Sequence, residues 1–330
     1  MPKDKKTVIF GIGADFAILE DLIFETNDVC ALMDNDEKKQ GLMARGFKIR
    51  HPQELETIAY EDILITSSRY NEAIKKQLVE IGVPAAQIRI LPAKLALIIK
   101  NLGDIAGKTV LDIGCGAGDE VRELAIKYSP HRIIGIDLKV SKSSASDNWL
   151  IKNGDATKLD FEADTFDAVY SRGAFEHIGD IKATLREVKR VLKPGGRFYC
   201  LFSHIWTSIQ GYHDNGDPKL ITAIPPWCHL YMPDNELASL FHDNGFDEIL
   251  WMDYIKNHLN HYSRTELVGF IMQAGMQVIN YAEQTRLQRY FGTSHASELT
   301  DEIRLKVAKA GYDIGDLAIA GIEFTLEKIN

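Results

Sequence analysis

The chain has 330 residues, of which 45% are hydrophobic and 26% charged, and its formal net charge at pH 7 is −9. This length predicts two domains, and the composition is ordinary for a globular protein. The acidic balance argues against a nucleic-acid-binding surface, because neutralising phosphates requires clustered lysines and arginines. The sequence contains no run of 18 apolar residues, so we expect no membrane span.

The cysteines indicate a reducing compartment. The four cysteines form no C-x-x-C pair, and their apolar surroundings predict free buried thiols. Lys3, Lys5 and Lys6 precede an apolar run that resembles a signal peptide, but acidic residues interrupt that run early. We therefore expect a cytoplasmic protein.

Residues 1–92 alternate short apolar strands with helices, which predicts a small Rossmann-like α/β domain. A glycine turn at Gly11 and Gly13 follows the first strand, and Asp34 ends the second, where a dinucleotide-binding fold places its ribose-binding acid. However, Phe16 stands where the third glycine of that fingerprint belongs. The residues leave open whether this domain binds a nucleotide or serves packing and homo-oligomerisation.

Two segments of this first domain carry a resemblance. Asp34-Asn35-Asp36 and Ile65-Thr66-Ser67-Ser68 resemble the Rossmann-like N-terminal domain of bacterial polysaccharide-biosynthesis enzymes. The resemblance implies an α/β fold and says little about a ligand. After Pro92, we expect a helix at residues 93–102 that leads into the second domain, residues 93–330.

The stretch from Val110 to Glu120 is an apolar strand, a glycine-rich turn and a helix start. Glycines at alternate positions let the backbone bend tightly and approach a ligand. A dinucleotide loop has the spacing G-x-G-x-x-G, whereas here Asp112 lies two residues before the first glycine and would repel a phosphate. The pattern favours a ligand with positive charge, such as the ammonium group of S-adenosylmethionine.

This stretch resembles the first motif of the class I S-adenosylmethionine-dependent methyltransferases, and further matches extend to about residue 203. The resemblance implies an α/β protein of two Rossmann-like domains, the second a seven-stranded sheet. In that family an acid at the position of Asp137 binds the ribose and one at Asp155 contacts the adenine. The predicted cofactor-binding residues are Asp112, Gly114, Cys115, Gly116, Gly118, Asp137, Leu138, Asp155, Ala156, Ser171 and Arg172.

An irregular, aromatic insertion at about residues 204–262 follows the fifth strand of this predicted sheet and suits a substrate lid. Methyl transfer to a hydroxyl group needs a base, and a neutral histidine suits that work. We predict His213 and His229 as the first candidates and His204 as the third. A metal site formed by these three histidines with Asp214 lacks compact ligand spacing, so no metal is predicted.

These observations predict an S-adenosylmethionine-dependent methyltransferase that methylates an oxygen of a small or carbohydrate-like acceptor, with a lid histidine as the base. Two alternatives stay open. A nicotinamide-dependent sugar-modifying enzyme would be centred on Gly11 and Asp34. A non-catalytic scaffold would bind S-adenosylmethionine without turnover.

Overall fold

The computed structural model describes residues 5–91, 93–213, 218–285 and 301–329. The chain forms two compact units, Met1–Gly103 and Asp104–Asn330. The first unit extends beyond the predicted boundary at residue 92, because the helix Ala93–Leu102 contacts the helix Ala14–Thr26 of that unit. Leu95, Ile98 and Leu102 are buried in the first unit instead of beginning the second.

The first unit is a six-stranded sheet with helices, as the alternating pattern predicts. The sheet order is β3-β4-β2-β1-β5-β6, parallel throughout except for the antiparallel pair β3–β4. The strands are β1 (Lys6–Phe10), β2 (Asp28–Met33), β3 (Met43–Ala44), β4 (Phe47–Arg50), β5 (Asp62–Ile65) and β6 (Ile88–Ile90). The helices are α1 (Ala14–Thr26), α2 (Asn71–Glu80) and α3 (Ala93–Leu102).

A cavity of about 660 Å³ lies at the carboxyl ends of β1, β2 and β5. Asp34, the predicted ribose-binding acid, lines it and accepts hydrogen bonds from the Ile12 amide at 2.7 Å and Lys39 Nζ at 3.0 Å. Its second oxygen accepts from the Asp36 amide at 2.8 Å. The Asp34 carboxylate thus holds the surrounding loops together, and Phe16 is buried where a glycine would bring helix and strand closer.

The second unit contains an eight-stranded sheet with the order β13-β14-β12-β11-β7-β8-β10-β9. The prediction of seven strands is wrong by one, because a two-residue strand, β9, pairs antiparallel with β10 at the edge. The apolar segments 276–281 and 319–328 predict a closing hairpin for this sheet. The structure has it as the antiparallel pair β13–β14, and β14 is also antiparallel to β12. The strands are β7 (Thr109–Ile113), β8 (Arg132–Asp137), β9 (Ser144–Ala145), β10 (Trp149–Asn153), β11 (Phe166–Arg172), β12 (Leu192–Ser203), β13 (Gln277–Thr285) and β14 (Ile319–Glu327).

The helices of the second unit pack one apolar face each. In α5, Ile181, Leu185 and Val188 recur at helical spacing and are all buried. The helices are α4 (Asp119–Tyr128), α5 (Ile181–Val191), α6 (Pro218–Ala223), α7 (Cys228–Tyr231), α8 (Asp234–Asp243), α9 (Glu248–Asn257), α10 (Arg264–Met272) and α11 (Asp301–Lys309). Residues 297–300, predicted to begin the last of these, lie outside the described residues.

The segment after β12 has its own apolar core, separate from the core beneath the sheet. Trp206, Tyr212, Trp227 and Phe241 are buried in it, and Val307 of α11 completes it. The described residues of the predicted lid, 204–213 and 218–262, therefore form a folded helical layer. Across the described ranges, no helix combines the length and apolar character needed to cross a membrane.

Candidate functional site: a glycine cradle beside a histidine cluster

The glycine turn between β7 and α4 is tied to the end of β8. The amides of Gly114 and Cys115 both donate to the Ile136 carbonyl, at 2.8 and 3.0 Å. Burial, with the nearby charges of Asp112 and Asp137, raises the pKa of the Cys115 thiol to about 12, so this thiol is neutral at physiological pH. The turn is therefore held by backbone hydrogen bonds.

The three cradle glycines serve two purposes. All have positive φ: 78° at Gly114, 54° at Gly116 and 82° at Gly118. A Cβ would lie 2.2 Å from Ala174 Cβ at Gly114 and 2.0 Å from Ile151 Cδ1 at Gly118, but would meet nothing within 4 Å at Gly116. The outer glycines thus permit close packing, while Gly116 borders open space.

Predicted cofactor-binding residues follow the next two strands of the sheet. Asp137 accepts hydrogen bonds from the Gly116 amide at 3.0 Å and the Lys139 amide at 2.8 Å, and Leu138 beside it is 69% exposed. The exposed Asp155 accepts from the amide and hydroxyl of Thr157, each at 2.8 Å. These strand ends present an acid, an apolar side chain and a second acid at the carboxyl edge of the sheet, where open α/β sheets bind ligands.

Four polar residues lie beneath the cradle. The Tyr170 hydroxyl donates to Asp112 Oδ2 at 2.9 Å, and both side chains are buried. Burial raises the pKa of Asp112 well above its ordinary value, and the negative charge of Glu120 raises it further. Arg172 forms an ion pair with Glu120 and partly offsets both effects. Asp112 and Arg172 therefore make contacts that support the cradle.

Ser171 and Ala156, two further predicted cofactor-binding residues, are also buried. The hydroxyl of Ser171 donates to the Ile113 carbonyl at 2.8 Å, which joins β11 to the start of the cradle. Ala156 belongs to the core beneath the sheet. A ligand in the cradle would meet the backbone of these residues and not the Ser171 hydroxyl.

Two of the predicted catalytic histidines come together with a glutamate. The rings of His204 and His213 stack with centroids 4.0 Å apart, and His213 Nε2 lies 3.8 Å from Glu176 Oε1. Glu176 and His204 are buried. Both histidines have left-handed backbones, with φ of 66° and 67°, a conformation that costs a non-glycine residue about 1 to 3 kcal/mol. We call these three residues the histidine cluster.

The loop after β11 joins the histidine cluster to the cradle. Ala174, which packs against Gly114, is the N-cap of the short 3₁₀ helix Phe175–His177 that carries Glu176. Burial lowers the pKa of His177, while Asp137 of the cradle acts in the opposite direction and raises it. The cradle and the histidine cluster are thus joined by one short loop.

Residues of α9 and the loop after it complete the surroundings of the cluster. His177 Nδ1 donates to the His258 carbonyl at 2.7 Å, which ties the 3₁₀ helix to the end of α9. The Tyr254 ring lies 5.9 Å from that of His213, and burial together with Glu176 raises the pKa of Tyr254 to about 12. The Tyr254 hydroxyl therefore stays protonated at neutral pH.

His229, predicted as one of the two first candidates for the base, is separate from the histidine cluster. Its Nε2 donates to the Trp206 carbonyl at 2.7 Å, and its ring is packed edge-on against Trp206 and Tyr212. Burial lowers the pKa of His229 to about 4. These contacts give His229 a structural role in the core of the helical layer.

We expect His229→Ala to destabilise the fold by about 3 kcal/mol, because it leaves a cavity and an unpaired carbonyl. The native state keeps this imidazole neutral, whereas the unfolded chain protonates it at its ordinary pKa of about 6.5. Its stabilising contribution is therefore complete above pH 6.5 and is lost as the pH falls toward 4. Urea unfolding of both proteins across this range checks the prediction; equal stabilities throughout would contradict it.

Two residues of the site were missed by the sequence predictions. Glu176 is a charged residue between the apolar residues Phe175 and Ile178, and this is the sequence feature that could have marked it as a site residue. Asn260 fixes the turn that carries Glu176: its side-chain amide donates to the carbonyls of Phe175 and Ile178, and its backbone amide donates to the carbonyl of Glu176. No local pattern marks Asn260, because its partners lie far away in the sequence.

Comparison with known proteins yields a match to each unit. Residues 111–200 match the family described as "Methyltransferase domain", and residues 3–89 match one described as "C2185-like, N-terminal". The family matched by residues 3–89 is not described as one of polysaccharide-biosynthesis enzymes, so the resemblance predicted for the first domain is not shown.

Several named methyltransferases are similar to part of this chain. Demethylmenaquinone methyltransferase of Lactiplantibacillus plantarum is 26% identical over 57% of this chain and 78% of its own length. Sterol 24-C-methyltransferase ERG6 of Saccharomyces cerevisiae is 34% identical over 46% of this chain and 42% of its own. Phosphoethanolamine N-methyltransferase 2 of Caenorhabditis elegans is 30% identical over 45% and 35%. The matches to the latter two span less than half of each relative.

The matched segment, residues 111–200, includes most of β7, the glycine cradle and the strand ends that carry Asp137 and Asp155. It contains Glu176 and ends within β12, before His204 and His213 of the histidine cluster. The resemblance to methyltransferases that was predicted for this part of the chain is thereby confirmed: residues 111–200 match a methyltransferase domain.

Proposed function

We propose that this protein transfers the methyl group of S-adenosylmethionine to an acceptor bound beside the histidine cluster. The observation that carries the proposal is the contact between Gly114 of the cradle and Ala174, the N-cap of the 3₁₀ helix that carries Glu176. A cofactor cradle and a group of proton acceptors on adjoining loops suit an in-line displacement, in which the enzyme chiefly orients donor and acceptor.

Asp137 would accept hydrogen bonds from the ribose hydroxyls, and the open face of Gly116 would admit the cofactor. The exposed Leu138 provides an apolar surface for the adenine, with Asp155 at its edge. Asp112 would act from beneath by fixing the cradle through Tyr170. This distribution keeps the predicted cofactor set but divides it into contacting and supporting residues.

On the acceptor side, we retain His213 and His204 as the residues that act on the methylated group and set His229 aside. A hydroxyl acceptor must lose a proton on methylation, and a pair of imidazoles beside a carboxylate favours that loss. The cluster therefore supports an oxygen acceptor on a small molecule. The names of the relatives refer to methylation at carbon and nitrogen and lend no support to a carbohydrate acceptor.

The test is release of S-adenosylhomocysteine when the purified protein is supplied with S-adenosylmethionine and a panel of small acceptors that carry hydroxyl, amine or activated carbon groups. We expect turnover with members of the hydroxyl set. Turnover confined to amines or carbon acids would overturn the oxygen assignment. Cofactor binding without release in any acceptor set would favour the non-catalytic scaffold.

A further inference from the structure

The histidine cluster has the composition and the spacing of a metal-binding site. Glu176, His204 and His213 each offer one ligand atom, and these atoms all lie within 4.8 Å of one another. Two are imidazole nitrogens and one is a carboxylate oxygen. This set differs from the one weighed from the sequence, because Glu176 replaces His229, and Asp214 lies outside the described residues.

We propose that Glu176, His204 and His213 bind a divalent transition-metal ion of the zinc type. Ligand atoms about 2.1 Å from a tetrahedral ion are about 3.4 Å apart. The 3.8 Å between His213 Nε2 and Glu176 Oε1 is close to that value, and side-chain shifts of about an ångström bring all three atoms within reach of one ion. Calcium and magnesium prefer sets of oxygen ligands, whereas two imidazoles with one carboxylate suit zinc or iron(II).

The backbone around the cluster holds the three ligands in place before an ion arrives. The left-handed residues His204 and His213 are fixed by hydrogen bonds from their amides to the carbonyls of Ala320 and Gln210, at 2.7 and 2.9 Å. Asn260 fixes the turn of Glu176. Ligands already held on well-anchored loops lose little conformational entropy on binding, which favours a defined site over adventitious surface binding.

Burial adds an electrostatic reason for a cation. The Glu176 side chain is 4% exposed and that of His213 is 16% exposed. A carboxylate removed from water is stabilised by positive charge close by, and a divalent ion among the three ligand atoms would supply it. Tyr254, whose ring lies 5.9 Å from that of His213, remains neutral at physiological pH because its pKa is raised to about 12.

A site with three protein ligands leaves a coordination position for water or an acceptor oxygen. An ion there would lower the pKa of a bound acceptor hydroxyl. The proton would then leave to solvent, and His204 and His213 would act as ligands in place of acting as the base. This role in catalysis rests on the proposed function. Metal binding itself does not, because it requires neither S-adenosylmethionine nor an acceptor.

The experiment uses the full chain without an affinity tag, stripped with a chelator and titrated with Zn²⁺ against a chromophoric competitor. We expect one equivalent of Zn²⁺ per chain and a rise in the wild-type melting temperature on binding. His204→Ala, His213→Ala and Glu176→Ala should each lose the stoichiometric binding. His242→Ala, which changes an exposed histidine of α8, is the matched control and should keep it.

Failure of wild type to bind Zn²⁺ would overturn the proposal, as would equal binding by the three cluster variants and wild type. Circular dichroism identifies any variant that does not fold, and for such a variant the wild-type melting shift decides the matter. If the protein binds Zn²⁺ but releases no S-adenosylhomocysteine, the metal-site proposal is supported and the proposed function is overturned. Full turnover by the chelator-stripped protein would retain the proposed function and overturn the catalytic role of the ion.

Discussion

His213→Ala is expected to lower the turnover number at least about a hundredfold while leaving the affinity for S-adenosylmethionine nearly unchanged. Groups that accept a proton in the transition state contribute about 10²- to 10⁴-fold to a rate. His213 stacks on His204 and approaches Glu176, whereas the cradle contacts involve other residues. Initial rates of S-adenosylhomocysteine release, together with calorimetric cofactor titration, separate the two effects.

His242→Ala supplies the control for this experiment, because it removes an exposed imidazole and should leave the rate unchanged. His204→Ala should behave as His213→Ala does, since the two rings share one stack. Unaltered turnover in both cluster variants would remove the histidine cluster from the reaction. A matching loss of cofactor affinity would indicate that the cluster supports the cradle instead.

Asp137→Ala is expected to weaken S-adenosylmethionine binding by about a hundredfold. Hydrogen bonds to a charged group contribute about 1.5 to 3 kcal/mol each, and the ribose hydroxyls would lose theirs. The variant also removes the acceptor of the Gly116 amide, so the open part of the cradle loses its anchor at the end of β8. Calorimetric titration of the variant beside wild type measures the change.

Asp147→Ala is the matched control for Asp137→Ala, because it removes an exposed carboxylate from the loop before β10. It should bind S-adenosylmethionine as wild type does. If the two variants bind equally well, Asp137 does not hold the ribose. Comparing their melting temperatures shows whether a loss of affinity comes from local loosening of the fold.

The cradle was predictable from the sequence because its chemistry is local. Glycines at alternate positions, an apolar strand before them and a helix after them are contiguous, and Asp137 follows the next strand at its carboxyl end. Parallel pairing of β7 with β8 then brings these pieces to one edge. The same reasoning did not reveal that Asp112 and Ser171 are buried, since burial depends on Tyr170 and Ile113 across the strand pair.

The histidine cluster was predictable only in part, because its members come from separate loops. The sequence indicated that His204 and His213 were candidates, but their stacking depends on left-handed backbones. The position of Glu176 beside them depends on Asn260, far along the chain. His229 looked equivalent by composition, and its hydrogen bond to Trp206 became visible only in the packed core. Likewise, the composition of Lys193–Gly196 predicts a turn. In the structure Gly195 and Gly196 exchange backbone hydrogen bonds with Lys328, and β12 continues through them.

The most direct test of the account is calorimetric titration of the wild-type chain with S-adenosylmethionine. We expect saturable binding of one cofactor per chain. Nicotinamide dinucleotides should give no heat of binding at the cradle. Competition by S-adenosylhomocysteine should displace the bound cofactor. Absence of S-adenosylmethionine binding at high micromolar concentration would contradict the central claim that the cradle from Gly114 to Gly118 holds a methyl donor.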